Sequence, residues 1–306
     1  MPRGLLARLA MIPLIVFGVV TILFLIFKAV PGDEATMVAG ATATQAEIDN
    51  VRVQLGLDRP LMAQYLGHVA GLAHGDFGYS TTFRGNPLPY ILARLPATLL
   101  LTASAIALTI LVGIPAGVGA ASLQNRWPDL AISGVVVAFL AVPNFWLGMM
   151  LIAVFSVGLH WLPSFGLHGP ASLVMPTLAL AARLIAIIAR LTRGLVIEEM
   201  RKDYVRTARA KGLSMRQALW RHVLRNALIP AITAIGLEAG YLLGGSVVIE
   251  RLFAWPGIGD LLLNAIGNRD YTLVQGITVL FVLGFLLINM IVDFLFVLVN
   301  PRLRHA

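Results

Sequence analysis

The segment from Leu273 to Val299 reads LVQGITVLFVLGFLLINMIVDFLFVLV and contains one charged residue, Asp293. It is long enough to cross the hydrocarbon core of a bilayer, which is about 30 Å thick and takes about 20 helical residues. In lipid, only a helix or a closed barrel satisfies every backbone polar group. The segment therefore predicts a membrane-spanning helix near the carboxyl end of the chain.

Five further stretches meet the same criterion. They run approximately from Leu9 to Val30, from Pro96 to Leu123, from Leu130 to Val157, from Leu173 to Thr192 and from Ile229 to Ile249. Over all 306 residues, 58% are hydrophobic and only 12% are charged, whereas soluble domains are about one quarter charged. The sequence predicts an all-α integral membrane protein with six transmembrane helices.

The first stretch permits a second interpretation, a signal peptide cleaved near Ala39-Gly40-Ala41. Its apolar run is longer than the roughly 7 to 15 residues of a signal-peptide core. We therefore expect an uncleaved transmembrane helix over residues 1–30. An extracytoplasmic loop region over 31–95, a transmembrane core over 96–300 and a tail over 301–306 would follow.

Basic residues are distributed unevenly between the predicted loops. Ten of the 23 lysines and arginines lie between Arg190 and Arg225. Cytoplasmic loops carry an excess of such residues, so this loop and both termini are expected in the cytoplasm. The net charge of +8 is then explained by the membrane orientation of the chain, without a nucleic-acid partner.

The chain lacks the residues that several kinds of metal, thiol and nucleotide chemistry require. The chain has no cysteine, which excludes disulfides, zinc thiolate sites and thiol catalysis. His160 and His168 match no metal-ligand spacing. Lys28, Lys202 and Lys211 follow Phe, Arg and Ala, so none of them completes a phosphate-binding P-loop. We expect no metal site, no cofactor and no enzyme activity in this chain.

The predicted cytoplasmic loop over residues 194–229 contains the sequence DYVRTARAKGLS, from Asp203 to Ser214. Residues up to Lys211 favour a helix, and Gly212 suits the left-handed position that ends one. Ser214 and Gln217 fit a capping box, which predicts the start of a second helix. A DNA-binding helix-turn-helix shares these features, but both ends of this loop continue into membrane spans.

This loop resembles the cytoplasmic "EAA" loop of binding-protein-dependent ABC importer permeases, in the form typical of the dipeptide and oligopeptide branch. Further matches occur in order along the chain, at Gly75-Asp76-Phe77-Gly78, Pro143-Asn144-Phe145-Trp146-Leu147-Gly148, Glu250 with Phe253-Ala254-Trp255-Pro256-Gly257, and Asn300-Pro301-Arg302. The chain departs from the general motif at Arg206 and Thr207, which replace glutamate and alanine. Those replacements are usual in the peptide branch.

The resemblance implies a type I ABC importer permease of the cytoplasmic (inner) membrane that translocates di- or oligopeptides or similar small solutes. The implied partners, besides the lipid bilayer, are a second homologous permease, two ABC ATPase subunits and an extracytoplasmic solute-binding protein. ATP hydrolysis would belong to the ATPase subunits. Glutathione or a nickel complex is an alternative solute, and a gradient-driven secondary transporter is an alternative class.

The same resemblance implies an ATPase-coupling role for eight loop residues, with Ala208 and Gly212 as the positions of closest approach. They are Asp203, Arg206, Thr207, Ala208, Arg209, Lys211, Gly212 and Leu213. A valine at Gly212 is expected to uncouple hydrolysis from transport, because a β-branched residue is strongly disfavoured at positive φ.

Polar residues inside predicted spans are candidates for function. Here they are Arg183, Glu238, Asn289 and Asp293. Arg183 and Glu238 either form a buried ion pair or line the transport pathway.

Two further features permit a choice of interpretation. The external turn with Phe253, Trp255, Pro256 and Gly257 either contacts a binding protein or packs against the fifth and sixth helices. Pro143 and Gly148 are expected to kink the third span or to allow close packing. The spacing of Gly113 and Gly117 is typical of a contact between helices.

Overall fold

The computed structural model describes the backbone of residues 2–30, 32–40 and 42–299, and their side chains except those of 2–10, 34, 293 and 295–299. Within these ranges the chain is helical, apart from turns and an isolated bridge between Ser80 and Gly85. This confirms the all-α class. Ala41 of the alternative cleavage site and the predicted tail over 301–306 lie outside the described residues.

The helices range from 4 to 31 residues in length, and several continue end to end as long rods. In chain order they are α1 (Pro2–Ala29), α2 (Glu34–Ala39), α3 (Gln45–Gln54), α4 (Leu61–Ala73), α5 (Leu88–Leu108), α6 (Ile114–Ser122), α7 (Trp127–Ala141), α8 (Asn144–Leu151), α9 (Pro170–Met200), α10 (Asp203–Ala210), α11 (Met215–Ala218), α12 (Leu224–Leu252), α13 (Ile258–Gly267) and α14 (Tyr271–Val299). Three π-helical segments continue these rods, at Thr109–Gly113, Ile152–Gly158 and Leu219–Val223.

In the described part of the chain, five rods are long and apolar enough to cross a membrane. They are Met11–Ala29, Leu88–Ser122, Pro170–Met200, Met215–Leu252 and Tyr271–Val292. They confirm five of the six predicted spans. The helices Pro170–Met200 and Met215–Leu252 are longer than the fourth and fifth predicted spans that they match, because both extend into the basic loop.

The third predicted span is a bent pair of helices, Trp127–Ala141 and Asn144–Gly158, which meet at 103°. Val142 is extended, with φ −88° and ψ 125°, because the ring of Pro143 disfavours a helical conformation in the residue before it. Gly148 allows close packing, since a Cβ there would lie 2.5 Å from Cδ2 of Leu252. Both roles expected of Pro143 and Gly148 are therefore confirmed.

The chain divides into two compact units, of which the first comprises Met1–Pro96 and Asp260–Gly284. Its helix α1 contacts α4, where the hydroxyls of Thr21 and Tyr65 lie 2.6 Å apart. The Asp270 carboxylate accepts a 2.6 Å hydrogen bond from Ser80 Oγ. This buried bond fixes the segment that follows α4 to the start of α14.

The second unit comprises Ala97–Gly259 and Phe285–Ala306. Helix α9 lies at its centre and contacts α6, α7, α8 and α12. Several of its buried side chains join one apolar core, whose members include Leu101, Met175, Leu180, Ile188 and Trp255. A helix surrounded in this way holds a fixed position, which sets the place where its carboxyl end meets the basic loop.

Gly113 and Gly117 let the rod that contains α6 approach α9 closely. A Cβ at Gly117 would lie 2.5 Å from the carbonyl oxygen of Ala189, and one at Gly113 would lie 3.1 Å from that of Ile185. The two backbones are therefore in direct contact, as small residues four apart allow in membrane helices. This confirms the helix contact expected from their spacing.

Candidate functional site

The loop between α9 and α12 folds as helix, glycine turn and helix. α10 is followed by Gly212 with φ +95°. Ser214 begins α11, because its Oγ accepts a 3.3 Å hydrogen bond from the Gln217 amide while the Gln217 side chain accepts one of 2.9 Å from the Ser214 amide. This local geometry was predicted from the sequence.

One face of α10 packs into its own chain. Val205 is 1% exposed and joins an apolar cluster with Val196 of α9, Ala218 of α11 and Val223. Ala208, one turn further along α10, is 8% exposed. The small side chain of Ala208 thus brings α10 close to the rest of this chain, and little of it is left at the surface for a partner.

Tyr204 links α10 to both neighbouring helices. Its hydroxyl donates to the Glu199 carboxylate at the end of α9 and accepts a 3.2 Å hydrogen bond from Nδ2 of Asn226 in α12. Lys202 forms an ion pair with the same glutamate. Burial and the bond to Glu199 raise the pKa of Tyr204, so its hydroxyl keeps the proton that it donates.

The opposite face of α10 is exposed and basic. Asp203, Arg206, Thr207, Arg209, Lys211 and Gly212 are exposed, and Leu213 is half-buried. Arg206 Nη1 lies 3.5 Å from Asp203 Oδ1, yet these side chains are 78% and 94% exposed, so the pair contributes little stability. A Cβ at Gly212 would meet nothing within 4 Å. Conformation, and not space, therefore requires glycine there.

A largely buried ion pair beside this loop was not predicted from the sequence. Asp129 is 2% exposed, and Arg193 contacts both of its oxygens, with Nε to Oδ1 and Nη2 to Oδ2 each 2.7 Å. The Asn125 amide donates a further 2.9 Å hydrogen bond to Oδ2. The pair joins the start of α7 to α9. Its sequence signal is an acid in the first turn of a helix that begins with Trp127-Pro128.

The turn after α12, predicted to be external, is buried. Trp255 is 0% exposed and Phe253 is 2% exposed, while Gly257 is buried and Pro256 is half-buried. The indole Nε1 of Trp255 donates a 2.8 Å hydrogen bond to the carbonyl of Ala97. The turn thus packs against the start of the second predicted span and the end of the fifth, where the sequence had suggested the fifth and sixth, and Phe253 and Trp255 have almost no exposed surface.

Glu250, beneath this turn, had no role assigned from the sequence. It is 0% exposed, and its carboxylate accepts hydrogen bonds from Thr98 Oγ1 at 2.7 Å, the Gly259 amide at 2.7 Å and Ser246 Oγ at 3.1 Å. Any Cβ at Gly257 would collide with Glu250 and Thr98. The carboxylate therefore organises the turn from inside.

The four intramembrane candidates do not form one site. In the described part of the chain, Arg183 and Glu238 do not form the ion pair considered from the sequence. Asn289 donates a 2.9 Å hydrogen bond to the Phe285 carbonyl of its own helix. Asp293 lies in α14, and its side chain is outside the described residues.

Arg183 lies at a cavity of about 460 Å³ beside the bend in the third predicted span. Pro143 and Asn144 line it at the bend, and Gly245 and Val248 line it from α12. Among the residues that line this cavity, Arg183 is the one with a charged side chain. A cation in this position can hold an anion.

Two family models match this chain. The model described as "Binding-protein-dependent transport system inner membrane component" matches residues 113–305. A second model, described as "Binding-prot-dependent transport system membrane comp, N-term", matches residues 1–102. The two matches cover the helices and the loop described above.

Two curated relatives and one solved structure are also similar. Proteins named "Glutathione transport system permease protein GsiC" from Escherichia coli (strain K12) and Shigella dysenteriae serotype 1 (strain Sd197) are each 42% identical over 297 residues, 97% of this chain and of each relative. A chain of the MetNI methionine ABC transporter in an inward-facing conformation matches with a TM-score of 0.59 and 23% identity, covering 71% of this chain and 99% of that one. This structural likeness shows a shared fold.

Proposed function

Because this chain belongs to the family of binding-protein-dependent transport system inner membrane components and is thus a permease subunit of an ABC importer, we propose that it conducts short peptides. Such a permease works with ATPase and solute-binding partners in the inner membrane. The family assignment sets aside the gradient-driven transporter considered from the sequence. ATP hydrolysis takes place on the partner subunits.

Peptides of about the size of glutathione are the proposed solutes. The two relatives above are named as glutathione permeases and match almost the whole chain. Glutathione is itself a tripeptide with free carboxylates, so this similarity supports a peptide solute and does not favour the nickel complex. Specificity among peptides is expected to be shared with the solute-binding protein.

The exposed basic face of α10 and its glycine turn form the proposed ATPase-docking surface. The observation that carries this proposal is the two-sided construction of α10. Val205 and Tyr204 fix its inner face to α9, α11 and α12, while Arg206, Arg209 and Gly212 on its outer side are exposed. Movement of a packed helix is an established way to transmit a conformational switch. A push on α10 would therefore reach two membrane helices.

The proposed orientation places both termini and the loop over 194–229 in the cytoplasm, and residues 31–95 outside. The ten basic residues between Arg190 and Arg225 support it. The proposed complex contains a second, homologous permease and two ATPase subunits. The pathway then runs between the two permeases.

Gly212→Val tests the coupling role, with Gly194→Val as its matched control. Both glycines are exposed, and a Cβ at either of them would meet nothing within 4 Å, but Gly212 has φ +95° whereas Gly194 lies within α9. A side chain in the left-handed region costs about 1–2 kcal/mol, so Gly212→Val is expected to rearrange the turn. The measurement is ATP-dependent uptake of a labelled tripeptide into proteoliposomes that contain the whole complex.

We expect at least tenfold slower uptake per assembled complex for Gly212→Val, while ATP hydrolysis continues and the control transports normally. A tenfold change corresponds to about 1.4 kcal/mol. Normal uptake by Gly212→Val would refute the coupling role of this turn. Uptake that needs no ATP would refute the proposed mechanism as a whole.

A further inference from the structure

Arg183 lies in the middle of α9 and is not neutralised by the described residues of its own chain. About 20 Å of helix precede it and about 26 Å follow it, at 1.5 Å per residue. Its side chain is exposed, and within the described ranges it makes no ion pair. An arginine facing lipid at the centre of a span is strongly unfavourable. Its face of α9 is therefore expected to meet water or protein.

The cavity beside Arg183 is large enough to hold a small solute. Its volume of about 460 Å³ is within the range of roughly 300–1,000 Å³ found for small-molecule sites. Pro143 and Asn144, at the 103° bend of the third predicted span, line it, and Gly245, Val248 and Ile249 line it from α12. Room for a small solute thus exists at the level of the charged residue.

The chemistry of the lining selects an anion. Arg183 supplies the charge and Asn144 an uncharged polar side chain, and the lining contains no carboxylate. A guanidinium presents a planar set of donors that pairs with both oxygens of a carboxylate. Because the rest of the lining is mainly apolar, this attraction is screened less than it would be in bulk water.

We propose that Arg183 binds a carboxylate of the transported solute at the bend in the third predicted span, and so selects carboxylate-bearing solutes inside the membrane. This inference rests on the proposed function as a peptide permease. It adds a selective contact in the permease itself. The competing arrangement is an ion pair between Arg183 and an acid of the second permease, which would remove the positive charge from the cavity.

The absence of cysteine from the chain allows a direct test. Val248 lines the cavity and is 53% exposed, and Val154 is 50% exposed but is not among the residues that line it. Val248→Cys and Val154→Cys complexes in nanodiscs are treated with an anionic and with a cationic methanethiosulfonate reagent. The measured quantity is the ratio of the two modification rates.

At Val248→Cys we expect the anionic reagent to be favoured roughly tenfold more than at Val154→Cys, because a unit charge nearby shifts the reagent's energy by more than 1 kcal/mol at reduced dielectric. The preference should disappear when Arg183→Gln is added and persist with Arg183→Lys. Equal ratios at the two positions would show that Arg183 is already neutralised. That result would overturn the proposal. The comparison of the two cysteine positions keeps Arg183 itself, so it does not depend on whether an Arg183 variant folds.

Protection of the thiol then tests the solute class. A tripeptide with a free carboxyl terminus should slow modification of Val248→Cys severalfold, and the same tripeptide with a carboxyl-terminal amide should not. Equal protection by both, or by neither, would overturn the proposal. These measurements use no ATP, so a negative result combined with normal coupled uptake refutes this inference alone. Absent uptake combined with a clear charge preference refutes the proposed peptide transport instead.

Discussion

The loop before α12 and the turn after it both depend on glycine, but for opposite reasons. At Gly212 there is open space, and only φ +95° requires glycine. At Gly257 and Gly259 the buried Glu250 carboxylate occupies the place that a Cβ would need. Packing thus defines the turn after α12 from within, whereas backbone conformation shapes the loop and leaves its outer surface exposed.

The largest effect in this comparison is expected at the buried turn, for Glu250→Ala. The change leaves the Thr98 hydroxyl and the Gly259 amide without their acceptor, at about 1–3 kcal/mol for each buried group. We expect the complex to lose about 3 kcal/mol of stability or more. The measurement is the melting temperature of the complex, monitored by size-exclusion chromatography after heating. Glu250→Gln keeps one carbonyl acceptor and should lose less. An unchanged melting temperature for Glu250→Ala would contradict the organising role of this carboxylate.

An intermediate effect is expected for the Asp129–Arg193 pair, which is less buried than Glu250 and more buried than the outer face of the loop. Breaking a fully buried pair costs about 3–5 kcal/mol. Arg193 is 31% exposed, so we expect about 2 kcal/mol for Asp129→Asn. The double variant with Arg193→Gln should lose less than the sum of the two single changes, which a double-mutant cycle of thermal stability measures. Strict additivity would show that the two side chains do not stabilise each other.

The smallest effect on stability is expected in the loop, for Tyr204→Phe. The change removes the hydroxyl that connects Glu199 and Asn226, worth about 1 kcal/mol. We expect faster hydrogen exchange of the α10 amides and severalfold slower coupled uptake, with the melting temperature nearly unchanged. Tyr241→Phe removes a hydroxyl from a side chain that is 69% exposed and serves as the control. Unaltered exchange in α10 would show that the hydroxyl does not fix this helix.

Local signals in the sequence were sufficient for the loop. Gly212 and the pair Ser214 and Gln217 determine a turn and a helix start within a few residues. The apolar runs likewise identified the membrane rods, since span length follows from the thickness of the bilayer. Pro143 indicated the break in the third span, but its angle of 103° depends on packing that a single proline does not specify.

Contacts between distant parts of the chain were beyond such reasoning. Asp129 and Arg193 are 64 residues apart, and Glu250 and Thr98 are 152 apart. Which polar residues meet depends on the rotation of each helix about its axis, which composition does not report. For the same reason Arg183 and Glu238, both placed correctly within helices, were considered as a pair that the structure does not contain.

The glycine contact between α6 and α9 has a mechanical consequence. At Gly113 and Gly117 the two backbones meet with no side chain between them, so the contact has little compliance. A force applied to the end of α9 that meets the basic loop would be transmitted directly to the rod that contains α6. The rod that contains α6 and helix α9 would then move together as one rigid body, held at the glycine contact inside the membrane.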